Sequence, residues 1–212
     1  MSEVFVAVYT NKVKRYCDQL FFDALNKNIS SDHIHVIDNS NDHGEYMNDL
    51  KSRIQCNYIA HLDISEQPEI TKFHRKVAES VLHLRTMFLL SQYKYFLIAE
   101  SDVILNNDKT IETLLQNIKE LPEDTGAVGA LYYDGFHNYS LTGIQQTNHV
   151  LSGCTIYKRA MIEKFPFRYD PNYLPSFPDA IICIDAINDF KYYNNHELKC
   201  SHAHSENGSR YI

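Results

Sequence analysis

Tyr95-Phe96-Leu97-Ile98-Ala99-Glu100-Ser101-Asp102-Val103-Ile104-Leu105 is the stretch that decides the fold. An apolar run with the look of a buried strand stops at two carboxylates one residue apart. Alternate residues of a strand share a face, so Glu100 and Asp102 can converge on a single point. Two acids at the carboxyl end of a buried strand make a hard oxygen site, suited to Mg²⁺ or Mn²⁺ and the phosphates such ions carry. In open α/β sheets the ligand crevice lies outside those strand ends. The plainer account is that acids end strands because water solvates them there.

Working outward, the first half alternates strand and helix patterns. Residues 4–10 read as the first strand and 33–37 as the second, closed by the polar turn 38–42. Between them, 16–25 reads as an amphipathic helix with Tyr16, Leu20, Phe21 and Leu25 on one face. A short strand is expected over 56–62, a long helix over 73–92 before the acidic strand, and a helix over 110–121 after it, stopped by Pro122. This rhythm predicts a mainly parallel sheet with right-handed crossovers. The second half is less regular. Strands are expected over 127–133 and 150–157, helices over 159–165 and 179–189, and a last strand over 190–200. The stretch 166–178 holds four prolines and reads as an ordered loop. The tail 205–212 has no periodicity and is expected to be mobile, or ordered only with ligand.

The composition sets limits. A chain of 212 residues, 44% hydrophobic and 22% charged, has the length and make-up of one sizeable globular domain. A net charge of -7 gives no general attraction to nucleic acid or anionic membrane. The start of the chain lacks a basic segment and a signal-length apolar core, and no apolar run reaches bilayer length, so a soluble cytoplasmic protein is expected. Five cysteines, at 17, 56, 154, 183 and 200, are an odd and widely spaced set without a CxxC pair, which argues against a disulfide framework or a zinc site. Abundant Tyr, Asn, His and Lys with no Trp fit an AT-rich genome; a viral protein would then act in host cytoplasm.

On several motifs in order, the chain resembles the GT-A glycosyltransferases, which use a nucleotide sugar, usually with a divalent cation, on a Rossmann-like sheet. Glu100-Ser101-Asp102 stands where that family has its Asp-x-Asp motif. Tyr9-Thr10 ends the first strand where the family approaches the nucleotide. Val36-Ile37-Asp38-Asn39-Ser40 looks like the turn carrying a base-contacting acid. The helix with Arg85 precedes the metal strand. Val150 to Arg159 is similar to the segment lining the donor sugar, with Gly153 inside it. Phe177-Pro178-Asp179 looks like the acidic helix start, and His202 matches the late metal-ligand histidine, with His204 as the alternative. The resemblance covers 1–204, with 205–212 as a tail. It implies a single α/β domain whose mainly parallel sheet is flanked by helices, with a small antiparallel part near the C-terminus. The chain departs from the family in having Glu as the first acid and Pro178-Asp179 in place of paired acids.

The resemblance implies a metal-dependent hexosyltransferase moving a sugar from a nucleoside diphosphate, UDP first, to an acceptor hydroxyl. Asp102 and His202 would hold Mn²⁺ or Mg²⁺, and Glu100 would reach the ribose or the metal. Thr10, Asp38, Arg85, Ser101 and Gly153 would line the donor, and Asp179 would be the general base of an inverting reaction. Each has a plainer account. Asp38 fits an Asx-turn, Asp179 a helix cap, Gly153 a tight turn, Arg85 a solvated helix position and His202 a surface site. Lys12, Lys14 and Arg15 follow the first strand and could help hold phosphate, but read best as a charged helix start. Asp134 and His137 could border an acceptor, and Tyr132, Tyr133, Phe136 and Tyr139 could stack on a sugar or base or simply pack. The acceptor could be a glycan, a protein or a hydroxylated small molecule. A nucleic acid acceptor would need a basic groove, and Lys72, His74, Arg75 and Lys76 form the one compact basic cluster, which reads as a solvated face. Alternatives are a nucleotidyltransferase, disfavoured because 10–14 lacks glycine, a non-catalytic nucleotide or carbohydrate module, and, weaker still, a phosphohydrolase.

Overall fold

In the computed structural model, residues 3–64, 69–132, 141–173, 177–203 and 210–211 are described, with side chains for all but 69–72 and 210–211. The first strand, β1 (Val4–Thr10), is buried along its length. Its period of two divides the molecule into layers. Val4, Val6 and Val8 enter one core with Phe21, Phe22, Leu25, Leu114 and Ile118. Phe5, Ala7 and Tyr9 enter the other with Val77, Val81, Leu84, Phe88 and Ile182. A strand covered on both faces is apolar throughout, as the sequence of β1 is.

A 3-10 helix (Lys12–Cys17) leads from β1 into α1 (Asp18–Asn28). Leu20, expected on the buried face of this segment, is instead 37% exposed; Phe21, Phe22 and Leu25 face the core. The remaining first-half elements are β2 (Ile34–Asp38), α2 (Glu45–Arg53), β3 (Tyr58–His61), α3 (Glu69–Leu89) and β4 (Tyr95–Glu100). β1 lies between β2 and β4, and β2 beside β3, all parallel. α2 was not expected: it is polar and short, with Tyr46 and Leu50 as its buried residues.

The acids stand at the carboxyl end of a strand, as expected, but not as alternate residues of it. β4 stops at Glu100, the chain turns at Ser101-Asp102, and β5 (Val103–Leu105) pairs elsewhere, antiparallel with β9 (Lys191–Ala203). Then come α4 (Thr110–Glu120), β6 (Thr125–Tyr132), β7 (Ile144–Thr147), β8 (Cys154–Lys158), α5 (Arg159–Lys164) and α6 (Pro178–Ala186). β8 is antiparallel to both β4 and β6, and β6 is parallel to β9. The sheet path is β10-β9-β6-β8-β4-β1-β2-β3, with β10 (Arg210–Tyr211) placing the end of the expected tail against His202 and Ala203. The result is an α/β domain with a parallel first half and antiparallel pairings gathered near the C-terminus.

Candidate active site

Register brings the candidate residues to one edge. Thr10 pairs with Asp38 and Asp38 with His61, while Tyr9 pairs with Glu100. The carboxyl ends of β1, β2, β3 and β4 therefore lie side by side. β8 runs the other way, so its start is at the same edge, and the Glu100 amide donates to the Gly153 carbonyl at 3.0 Å. The Ala203 amide donates to the Asp102 carbonyl at 2.8 Å, which fixes His202 next to the acidic turn.

At the centre is a residue the sequence reading set aside. Lys14 is buried, and its Nζ lies 2.6 Å from Glu100 Oε1 and 2.9 Å from Asp102 Oδ1. The 3-10 helix explains its aim. Side chains three apart eclipse in that geometry, so Lys14 and Cys17 face inward together. Lys12 and Arg15, between and beside them, remain more than half exposed, as a charged helix start should. Asn11 caps the helix by accepting from the Val13 amide, and Cys17 Sγ contacts the carbonyls of Lys14 and Ser101 at 3.0 and 3.3 Å. The spacing of Lys14 to the apolar Cys17 was the available signal.

Burial works against the charge on Lys14, but Glu100 and Asp102 outweigh it and raise its pKa above the usual lysine value. Burial likewise pushes Asp102 up, and His202 and Lys14 overcome this to leave it below the ordinary carboxylate range. His202 Nε2 is 3.4 Å from Asp102 Oδ2, and despite burial this carboxylate raises the imidazole's pKa. The Tyr132 ring stands edge-on to His202, centroids 5.1 Å apart. Gly153 completes this wall: a Cβ there would lie 2.2 Å from the Tyr132 ring and 2.8 Å from Val103. Its missing side chain thus serves the packing of Tyr132.

The turn carrying the acids is held from beneath. Ser101 Oγ donates to Thr10 Oγ1 at 2.9 Å, Thr10 Oγ1 is 3.3 Å from the Tyr46 hydroxyl, and Tyr46 donates to Asp18 Oδ1 at 2.6 Å. Arg53 closes the chain on Asp18 at 2.8 Å. Thr10 and Ser101, expected at the donor, have buried hydroxyls engaged in this network. Asp38 is also fully buried. Its Oδ1 accepts from the Ser40 amide and hydroxyl, and its Oδ2 contacts His61 Nδ1 at 2.9 Å. The Asx-turn account is therefore realised, and Asp38 acts on the surface above it through Ser40 and His61. Among the described residues, Asp38, Asp42 and His61 also bring ligating atoms within 4.8 Å of one another. Asp42 also accepts from the Gly44 and Tyr46 amides at the start of α2.

Above these strand ends lies an open cavity of about 490 Å³ lined by Asn11, Lys12, Val13, Ser40, Asn41 and Lys76. Lys76 was expected on a solvated basic face. It is instead buried, donating to the Asn39 carbonyl at 2.9 Å and to Asn41 Oδ1 at 2.5 Å. His74 packs against Phe177, ring centroids 4.3 Å apart, so the cluster does not form a continuous basic face among the described side chains.

Asp179 sits in the first turn of α6 behind Pro178, which is favoured at a helix start. Its Oδ2 accepts from the Ser152 amide and its Oδ1 from the Ala180 amide, both at 2.9 Å. Ser152 Oγ is 3.3 Å from the Tyr9 hydroxyl, linking Asp179 to the strand that neighbours Glu100. Burial raises the Asp179 pKa, and the two amides only partly offset it. The cap position is Phe177, so Asp179 lies within the first turn and does not cap it, and a carboxylate with raised proton affinity results.

Thr10, Asp38, Glu100, Ser101, Asp102, Gly153, Asp179 and His202 thus gather at one edge. Arg85 does not. Its guanidinium donates to the carbonyls of Ile162 and Glu163 at 2.8 and 3.1 Å, past the end of β8 and beside the amino end of β4. It binds exposed carbonyls at a helix end, a task that draws arginine inward without any ligand. His204, Tyr133, Asp134, Phe136, His137 and Tyr139 lie outside the described residues.

No family model and no curated protein matches this chain. Solved structures do. The mannosyltransferase PcManGT from Pyrobaculum calidifontis, in complex with GDP-Man and Mn²⁺, aligns with TM-score 0.62 at 13% identity, covering 93% of this chain and 56% of its own. S. aureus TarS 1-349 in complex with UDP aligns with TM-score 0.62 at 15% identity, over 93% of this chain and 59% of its own. Glucosyl-3-phosphoglycerate synthase from Mycobacterium tuberculosis, with Mn²⁺, uridine diphosphate and glucosyl-3-phosphoglycerate, aligns with TM-score 0.59 at 12% identity, over 95% and 72%. The fold is that of the GT-A nucleotide-sugar glycosyltransferases. This chain spans between one half and three fifths of the first two structures. No helix among the described residues is long and apolar enough to cross a membrane.

Proposed function

We propose that this protein transfers a hexosyl group from a nucleoside diphosphate sugar, a UDP-sugar first, to a hydroxyl of a glycan, a protein or a small molecule. One observation carries the reading: two carboxylates at the carboxyl edge of the sheet, Glu100 and Asp102, already converge on a positive charge, with the imidazole of His202 against Asp102. The set suits a divalent ion, since carboxylate oxygens and one imidazole nitrogen accommodate Mn²⁺, with Mg²⁺ as the alternative, and the Lys14 ammonium stands where a cation belongs. Asp102, His202 and Glu100 would hold the ion. When bound, it would neutralise the charge that gathers on the departing nucleoside diphosphate.

The chain's own groups account for the rest. The cavity beside Ser40 and Asn41 is edged by Lys12 and Lys76, charges that suit the phosphates of a nucleotide. Asp38, by accepting from the Ser40 amide and hydroxyl, holds one residue of that cavity's lining in place. Asp179 would take the proton from the attacking hydroxyl. Burial increases its proton affinity, and its amide donors, by holding it in place, leave each oxygen a further lone pair for the acceptor. The Tyr132–Gly153 wall packs beside His202.

The test is thermal stability across nucleotide sugars with and without Mn²⁺, followed by transfer assays on the donor found. A ligand that binds only the folded state raises the midpoint by mass action. A metal-dependent rise with one donor is expected, lost in Asp102→Ala. Absence of any rise, or an unchanged rise in Asp102→Ala, would remove the assignment. For Asp179→Asn the expected outcome is donor affinity within about twofold of the parent and transfer reduced about 10²-fold or more.

A further inference from the structure

Lys14 raises a question that the transfer reading does not answer. A buried ammonium occupies the position that the proposed cation needs. It contacts one oxygen of each acid, at 2.6 and 2.9 Å, and only about a tenth of its side chain is exposed. Both acids are equally enclosed, at 13% and 10% side-chain exposure. Buried acids without a partner are strongly unfavourable, so the ion pairs are part of what lets this turn fold without metal. A divalent ion and Lys14 would contend for the same oxygens. The backbone holding Lys14 is fixed by Asn11, Cys17 and the Ala203 carbonyl, to which Tyr16 donates at 2.7 Å. Its four-carbon stem is the part free to change rotamer.

We infer that Lys14 is an exchangeable cation of this site. It holds Glu100 and Asp102 in the empty protein and yields them when a divalent ion binds, so that ion and nucleoside diphosphate bind synergistically. The inference rests on the proposed metal site. The charge count gives the coupling. Glu100, Asp102 and Lys14 together carry one negative charge, too little to attract a lone divalent ion strongly once ion pairs must be broken. With the ion added, the same groups carry one positive charge, which favours the dianionic diphosphate. Without Lys14 the acids carry two negative charges, attract the ion by themselves, and leave no surplus for the diphosphate. Coupling of this kind is reciprocal: the nucleotide tightens the ion by the same factor that the ion tightens the nucleotide.

The experiment is titration of the full chain with Mn²⁺, reading free Mn²⁺ by electron paramagnetic resonance, with and without UDP. In the wild-type protein UDP should tighten Mn²⁺ at least tenfold. Lys14→Met should bind Mn²⁺ alone at least tenfold tighter than wild type, and gain less from UDP. Lys14→Gln, neutral but still able to donate to the acids, repeats the comparison if the methionine variant does not fold, and Lys14→Arg should behave as wild type. If the neutral variants bind Mn²⁺ alone no tighter than wild type, while both bind it with UDP, the exchange is wrong and the metal site stands. If no protein binds Mn²⁺ even with UDP, the metal site itself falls, and the exchange with it.

Discussion

Gly153 has no side chain because Tyr132 and Val103 fill the space where one would go. A methyl 2.2 Å from an aromatic carbon forces the ring to move, and that ring borders His202. Gly153→Ala is therefore expected to destabilise the fold by about 1–3 kcal/mol and to weaken metal-dependent donor binding, read by chemical denaturation and by nucleotide titration. Loss of stability with donor binding intact would separate the wall from the site. A second residue gives a pH signature remote from the chemistry. His35 stacks on Phe5 at 3.8 Å, its Nδ1 donates to the His33 carbonyl, and its Nε2 accepts from Asn57. Burial lowers its pKa to about 4. The unfolded chain takes up this proton near pH 6.5 and the folded one does not until about 4, so stability falls as the pH drops through that window. Urea midpoints at pH 7 and pH 5 should differ more for wild type than for His35→Gln, and equal differences would refute the burial argument. At this scale the sequence displayed Glu100, Asp102 and Asp179 through their place at element ends. It did not display Lys14, because direction on a 3-10 turn depends on a spacing of three that two neighbouring exposed cations obscure.

The elements show why some of the chain was readable and some was not. β1 and β4 are continuous apolar runs, and α4 a strongly one-sided helix, so periodicity sufficed for them. The break between β4 and β5 was hidden because Val103-Ile104-Leu105 is as apolar as the strand before it; only pairing with β9 separates the two. Glu100 and Asp102 consequently meet through a turn and a shared lysine, and not through strand alternation. α2 and β7 lack apolar pattern, the first being held by Tyr46 and Leu50 and the second by its pairing with β9. α2 nevertheless matters to the site, since Tyr46 joins Asp18 on α1 to Thr10 on β1 and so to Ser101. Tyr46→Phe leaves a buried carboxylate short of a donor and is expected to cost about 2 kcal/mol. If the network positions the acidic turn, the variant should also bind Mn²⁺ with UDP more weakly, with the turn's loosening seen as faster amide exchange at 100–102. Lost stability with unaltered metal affinity would confine the network to structural support.

Across the whole molecule, the sheet has a chemical pole and a structural pole. The carboxyl ends of β1–β4 gather carboxylates, an ammonium and an open cavity, as α/β sheets do. The opposite pole is closed by arginines on backbone carbonyls. Arg159, where β8 passes into α5, donates to the carbonyls of Tyr93, Phe88 and Ser91 at 2.8, 3.0 and 2.7 Å, and its guanidinium lies 4.5 Å from the Phe88 ring centroid. Arg85 does the same for the end of α5. Reading Arg85 as a donor-lining residue followed from its helix preceding the acidic strand, but the residue stands near the end of that helix remote from the acids. Pole identity, which sequence order alone does not supply, decides its role. Removing either guanidinium leaves carbonyls without their charged donors, a loss of about 2–3 kcal/mol and several degrees in melting temperature for a chain of this size. The proposed donor site, at the opposite end of the strands, should not register it. Arg85→Ala and Arg159→Ala are therefore expected to melt earlier than wild type while binding nucleotide and Mn²⁺ within about twofold of it at a temperature where both are folded. A selective loss of nucleotide affinity in Arg85→Ala, with its melting point unchanged, would instead return that residue to the donor site and require the sheet's two poles to be reassigned.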